Sequence, residues 1–320
     1  MTAFSRREFG KAVAAAVPLA TLAGSRGIFA AAGLTVGVST SSFRDLPRQL
    51  GAANIVDVIN ALDAVHATHI ELSMTNVEPA PPSTGPRMGG SPAYPQLVVL
   101  SPQQIAAINA MARENLRSWR ARTGGEYFAN IKDKFKASGV TVHACALDYD
   151  ASFTDEEIDG TFRQVKAMGV STISSPMTMA TAVRLVPFAK AHQMSIAIHN
   201  QVDGNAANAI ATPHLEEALS LSPAFSLKLD VGNLTASNAD PVAVLRKHQP
   251  RVSFVLVKDR LRNGGVSQPF GEGDTPIPAV VGALKASPAI PLIVEYDYVG
   301  VRASVDEVAA SVAYVTQALK

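Results

Sequence analysis

The chain has 320 residues, 47% hydrophobic and 17% charged, a globular composition that excludes a disordered, collagen-like or heptad-fibre chain. Its 28 basic and 27 acidic residues leave a formal charge of +1, without the basic excess of a protein that tracks nucleic-acid phosphates. The single cysteine, Cys145, excludes an internal disulfide framework and any multi-cysteine zinc or iron–sulfur centre.

The N-terminus reads SRREFGK from Ser5 to Lys11, then an apolar run from Ala12 to Ala23, then Ala30, Ala31 and Ala32. A charged region, a short hydrophobic region and small residues at a cleavage position form an export signal. The apolar run has 12 residues and contains Pro18, too short for the roughly 20 residues of a spanning helix. The Arg6–Arg7 pair with Phe9 and Lys11 resembles a twin-arginine signal. Residues 1–32 are therefore expected to be removed after passage through the twin-arginine machinery. The remaining near-neutral chain, 33–320, would be periplasmic or secreted, with no stable membrane span.

From Leu34 onward, short apolar runs alternate with longer helical patterns. The strand-like runs cover 34–39, 69–73, 140–147, 170–174, 195–200, 225–230, 252–259 and 291–297. Helical periodicity covers 54–66, 102–121, 155–167, 179–192, 276–286 and 304–319. Gly139 and Gly169 stand where helices end before a strand, and Thr154 followed by Asp155, Glu156 and Glu157 marks a helix start. Eight strand–helix units predict an α/β fold, a (β/α)8 TIM barrel. No Gly-x-Gly-x-x-Gly follows the first strand, so a dinucleotide-binding sheet has no support. Residues 75–95, rich in Pro, Gly and Ser, read as a long loop, either a lid or a plain insertion.

Polar residues cluster at the ends of these runs: Glu71, His143, His199 with Asn200, Asp230 with Asn233, Lys258 with Asp259, and Glu295 with Asp297. In a barrel these ends converge on one mouth, where charged groups need a partner, a ligand or a solvated cavity. Lys258 is open to either pairing with Asp259 or contacting substrate, and Glu295 to either a functional role or a structural ion pair with Lys258. His66, His69, His192, His214 and His248 lie on helix or loop patterns and read as surface residues. Cys145, inside an apolar strand, reads as inert. In GEGDTP, 271–276, Asp274 or Thr275 is expected to cap the next helix with Pro276 at its first position, and Glu272 to reach substrate.

The segments AIHNQ (197–201), LKLDVGN (227–233), VKDR (257–260), PFGEGDTPI (269–277) and IVEYDY (293–298) resemble the xylose isomerase-like barrel superfamily, in particular its sugar phosphate isomerases and epimerases. The resemblance spans about Leu34 to Leu319. It implies one divalent cation (manganese, magnesium, cobalt or zinc) held by residues of the fifth, sixth, seventh and eighth strands. His199, Asp230 and Glu295 match three ligand positions, whereas the family histidine two residues before Lys-Asp is Leu256 here. Gln201 stands where the family has a second histidine.

The implied chemistry is proton removal next to the carbonyl of a sugar or keto-sugar, with Glu295 as base, His199 as its partner and Lys258 stabilising the oxyanion. Glu71, His143, Asn200, Asn233, Asp259 and Glu272 complete the expected substrate contacts. Two alternatives stay open: a keto-glycoside β-elimination lyase on the same site, and a non-catalytic sugar-binding barrel motivated by Leu256. Phosphodiester hydrolysis, which would need more histidine ligands and a basic surface, fits poorly.

Overall fold

A computed structural model describes residues 33–91, 94–204 and 209–320; the export signal expected over 1–32 lies outside them. Eight parallel strands close a barrel: β1 (Val36–Ser39), β2 (His69–Ser73), β3 (Thr141–Ala146), β4 (Thr172–Ser175), β5 (Ser195–His199), β6 (Phe225–Asp230), β7 (Val252–Val257) and β8 (Leu292–Val294). Each strand pairs with its sequence neighbours and β8 closes on β1, Gly37 opposite Ile293. All eight sequence-predicted strands are present. Among the described residues no helix is long and apolar enough to cross a membrane.

Helices form the outer layer. They are α1 (Ile55–Ala64), α2 (Pro102–Arg122), α3 (Gly125–Ala137), α4 (Asp155–Ala167), α5 (Met179–His192), α6 (Leu215–Ser220), α7 (Val231–Ala236), α8 (Pro241–His248), α9 (Ile277–Lys285) and α10 (Ser304–Ala318). Local chemistry sets several boundaries. Thr154 caps α4 through a reciprocal capping box with Glu157, and Ser101 does the same for α2 with Gln104. Gly139 and Gly169 take positive φ just beyond α3 and α4, which lets the chain turn into the next strand.

The apolar core fills the space between barrel and helices. Phe128, Phe135, Phe162 and Phe225 are fully buried there, each contributing about 1.5–3 kcal/mol relative to exposure. Beneath α2 and α4 lies a buried ionic cluster: Arg120 donates to both carboxylate oxygens of Glu78 (2.7 and 3.1 Å) and approaches Glu157 at 3.5 Å. Arg113 closes the cluster from the rim, with two bonds to Glu157.

Three expectations need correction. Residues 75–95 are not structureless: Arg87–Ser91 and Tyr94–Val98 form an antiparallel hairpin. Gly and Pro suggest a loop by composition, yet strand pairing needs only backbone partners. Asp274 and Thr275 do not cap α9, whose N-cap is Pro276; Asp274 accepts instead from Arg262 N–H and Thr275 Oγ1 from Arg260 N–H. α3, α6, α7 and α8 go beyond the predicted helices. The three last are short, six to eight residues, and carry too few turns for a periodic signal.

Candidate active site

Strand alternation decides which side chains enter the barrel. Its interior carries an apolar layer of Ala144, Ala197, Phe254, Leu256 and Ile293. In the same bore, Glu71 accepts from Ser39 Oγ (2.8 Å), Ser174 Oγ (2.5 Å) and Lys228 Nζ (2.9 Å). Both Glu71 and Lys228 are buried, and four strands contribute to this network.

At the C-terminal ends of the strands, inward positions bring four expected residues together. Lys258 Nζ lies 3.0 Å from Asp230 Oδ2, 3.0 Å from Glu295 Oε2 and 3.2 Å from Asp297 Oδ2. His199 Nε2 is 3.0 Å from the same Asp230 oxygen. Ser41, just after β1, donates to Glu295 Oε1 at 3.0 Å. Asp230 Oδ1 accepts from the Asn233 backbone N–H and thereby caps α7. The glycine of the Asp-Val-Gly-Asn turn makes room for the lysine: a Cβ on Gly232 would lie 2.6 Å from Lys258 Cγ and 2.7 Å from its carbonyl oxygen.

Charge pairing dominates the electrostatics. Burial alone would raise the Glu295 carboxyl, but Lys258, Lys228 and His199 outweigh it and hold it at about 2. Asp230 is likewise lowered against burial, by Lys258 and by its hydrogen bond with His199. Burial would lower Lys258, and the carboxylates of Asp230, Glu295 and Asp297 raise it instead, so it stays an ammonium.

Asp148 behaves in the opposite way. It follows β3 by two residues, is solvent-exposed, and feels the charges of His199, Lys228, Glu71 and Glu295. Desolvation by the surrounding protein raises its carboxyl above the usual range even though the residue keeps solvent access, and His199 and Lys228 partly oppose the shift. The sequence carried a signal for it: the run Ala146, Leu147, Asp148 ends in an acid just as Lys228, Leu229, Asp230 does.

Other expected contacts serve structure. Asp259, 2% exposed, faces away from Lys258; its carboxylate accepts from the backbone N–H groups of Gly271 (2.8 Å), Gly273 (3.1 Å) and Thr275 (3.1 Å). The pairing of Lys258 with Asp259 is thus replaced by one with Asp230 and Glu295, since neighbours along an extended chain point to opposite sides. Asn200 and Asn233 are buried and spend their amides on the backbone of residues 230 and 200 and on Arg260. Glu71 lies in the sealed bore.

His143 is not at the mouth. Its Nε2 lies 2.8 Å from Nδ1 of His69, the first residue of β2, so this pair belongs to the N-terminal part of the barrel. His69 and His192, expected at the surface, are both partly buried, the latter against Asp159 at 2.7 Å. Glu272 is exposed on the loop after β7. Cys145 is buried, and burial pushes its thiol up, away from thiolate chemistry.

The residues at the mouth do not fit the divalent cation that the resemblance implies. Within the described residues no group of three or more His, Cys, Asp or Glu side chains is arranged to hold a metal ion. Asp230 and Glu295 converge on an ammonium, and Leu256, fully buried, supplies no lone pair from β7. Hard cations need several oxygen or imidazole donors around one point, and here that point is taken.

No family model and no curated protein matches the chain in sequence. Solved structures match its fold. The xylose isomerase domain protein of Planctomyces limnophilus superposes with a TM-score of 0.56 at 14% identity, covering 88% of this chain and 95% of that one. The 3-keto-D-glucoside 4-epimerase YcjR of E. coli, in its apo form, gives 0.55 at 11% identity over 89% and 99%. D-psicose 3-epimerase of Clostridium cellulolyticum H10, with D-tagatose, gives 0.59 at 9% identity over 89% and 99%. The chain therefore has the xylose isomerase-like (β/α)8 fold.

Proposed function

We propose that this protein is an isomerase or epimerase of an uncharged sugar or keto-sugar, acting by proton transfer at the carbon next to a carbonyl. The geometry that carries the reading is the Lys258 ammonium held by Asp230 and Glu295 at the barrel mouth, with Asp148, whose carboxyl is raised above its ordinary range, just beyond the end of β3. Epimerases of the same fold, acting on a 3-keto-glucoside and on a ketohexose, support it.

In this reading Asp148 takes the proton. A base works best when its pKa approaches the working pH, and Glu295, held at about 2 by Lys258, is a poor acceptor. The C–H electron pair becomes a C=C bond and the carbonyl π electrons move to oxygen. Lys258 turns one N–H from Asp297, the most distant and most exposed of its three partners, to that oxygen, and keeps Glu295 and Asp230 as its counter-ions. Return of the proton to the former carbonyl carbon, with the adjacent hydroxyl passing its proton to the enolate oxygen, gives isomerisation; delivery of a proton to the opposite face of the original carbon by a second acid, such as water, gives epimerisation. His199, anchored to Asp230 through Nε2, holds a substrate hydroxyl.

The charge balance supports an uncharged substrate. Glu71, Asp148, Asp230, Glu295 and Asp297 outnumber the Lys228 and Lys258 ammonium groups, and Arg44 adds one guanidinium at the rim, 4.0 Å from Asp297. A phosphate monoester would meet a negative field. We place the enzyme outside the cytoplasm, a reading supported by the Arg6–Arg7 signal.

The test is incubation of the mature chain with a panel of keto- and aldo-sugars in D2O. Carbon-bound deuterium in at least one sugar is expected. None with any sugar, with or without manganese, would sink the reading; release of an aglycone from a keto-glycoside would redirect it to a lyase.

A further inference from the structure

We propose that the Lys258 ammonium is a built-in substitute for the divalent cation, so that the carboxylates of the mouth are satisfied by a side chain and become a metal site only when that side chain is removed. The proposal deepens the proton-transfer reading of the same mouth, but its test requires no sugar.

Three observations carry it. The first is position. An ammonium has three N–H donors, and Nζ of Lys258 has three carboxylate oxygens within 3.2 Å, from β6 and from the segment after β8. A metal ion would need those same oxygens at about 2.0–2.6 Å, inside the space the ammonium fills.

The second is the donor inventory. Asp230 Oδ1 is engaged by Asn233 N–H, Asp230 Oδ2 by His199 and Lys258, and Glu295 Oε1 by Ser41. The inward position of β7 is Leu256, packed among Ala144, Ala197, Phe254 and Ile293. It cannot be recruited by a rotamer change.

The third is rigidity. The Lys258 stem runs over Gly232, where a side chain would collide with it. Lys258 itself is only 6% exposed. The ammonium is therefore held in place by packing as well as by charge, and does not swing aside to admit an ion.

Two measurements test this. Protein purified without chelator should contain well under one equivalent of manganese, magnesium, cobalt or zinc, and a Mn2+ titration read by electron paramagnetic resonance should show no binding tighter than millimolar. Lys258→Met and Lys258→Gln, each checked for native circular dichroism, should bind one Mn2+ at least tenfold more tightly, and the added Glu295→Gln should abolish the gain. One equivalent of metal in the wild type, or micromolar Mn2+ affinity there, overturns the proposal. So does a folded Lys258 variant with no gain in affinity. Failure of deuterium exchange with every sugar would remove the catalytic reading and leave this one standing.

Discussion

Lys258 and Glu295, 37 residues apart in sequence, meet at 3.0 Å between Nζ and Oε2. The pair sets the direction in which stability changes with pH. Glu295 is lowered from 4.5 to about 2 on folding, so its contribution is complete above pH 4.5 and is lost as pH falls toward 2. In Lys258→Met the three carboxylates lose their cation, and burial with mutual repulsion raises them instead. That variant should be about 3–5 kcal/mol less stable at neutral pH, and the deficit should shrink as pH falls. In denaturant titrations between pH 4.5 and 8 the site should add no slope in the wild type, whereas the stability of the variant should fall as pH rises; parallel curves would mean that Lys258 does not neutralise the site.

Asp148 should titrate in the pH–rate profile. The carboxylate form is the base, so activity should fall as pH drops through a pKa above the ordinary value of 3.8. Asp148→Asn should lose about 10²–10⁴-fold in kcat with little change in KM, and its residual rate should lack this acid limb. A variant that keeps the limb would assign the base elsewhere.

Asp259 should matter for folding and not for proton transfer. Removing its carboxylate leaves the N–H groups of Gly271, Gly273 and Thr275 unpartnered. Asp259→Ala should cost at least about 1–3 kcal/mol, and limited proteolysis should cut between 261 and 276 faster than in the wild type. Unchanged cleavage there would show that the loop holds its shape without the carboxylate.

The cluster under α2 and α4 offers a test of buried charge. Arg120→Met should destabilise by about 3–5 kcal/mol because Glu78 is left charged and buried. Burial already raises Glu78 in the presence of its partner. Adding Glu78→Gln should restore much of the loss, a non-additivity that thermal melts of the two single variants and the double variant would reveal.

The strands were legible because each is a short apolar run with a polar terminus, and all eight runs became barrel strands. The hairpin of Arg87–Ser91 and Tyr94–Val98 was hidden because Pro and Gly signal turns whether or not the flanking backbone pairs. Among the site residues, sequence identified His199, Asp230, Lys258 and Glu295 by their place at strand ends. It did not reveal facing. A register shift between Ile70 and Glu71 and the opposed directions of Lys258 and Asp259 decide which groups share a space, and neither is encoded in residue type. Asp148 lies one residue beyond the apolar run 140–147, so only its likeness to the Lys228, Leu229, Asp230 ending marks it.

Asp230 has two occupations. One oxygen starts α7 through Asn233, while the other answers Lys258 and His199. Any substitution there perturbs a helix start and the charge balance of the mouth at once. Directed evolution of this barrel will therefore find few paths through position 230: variants that retune the mouth must also carry the folding penalty, and tolerance will depend on stabilising changes acquired elsewhere first. Position 297, which starts no helix and whose side chain is 43% exposed, is the freer place to begin.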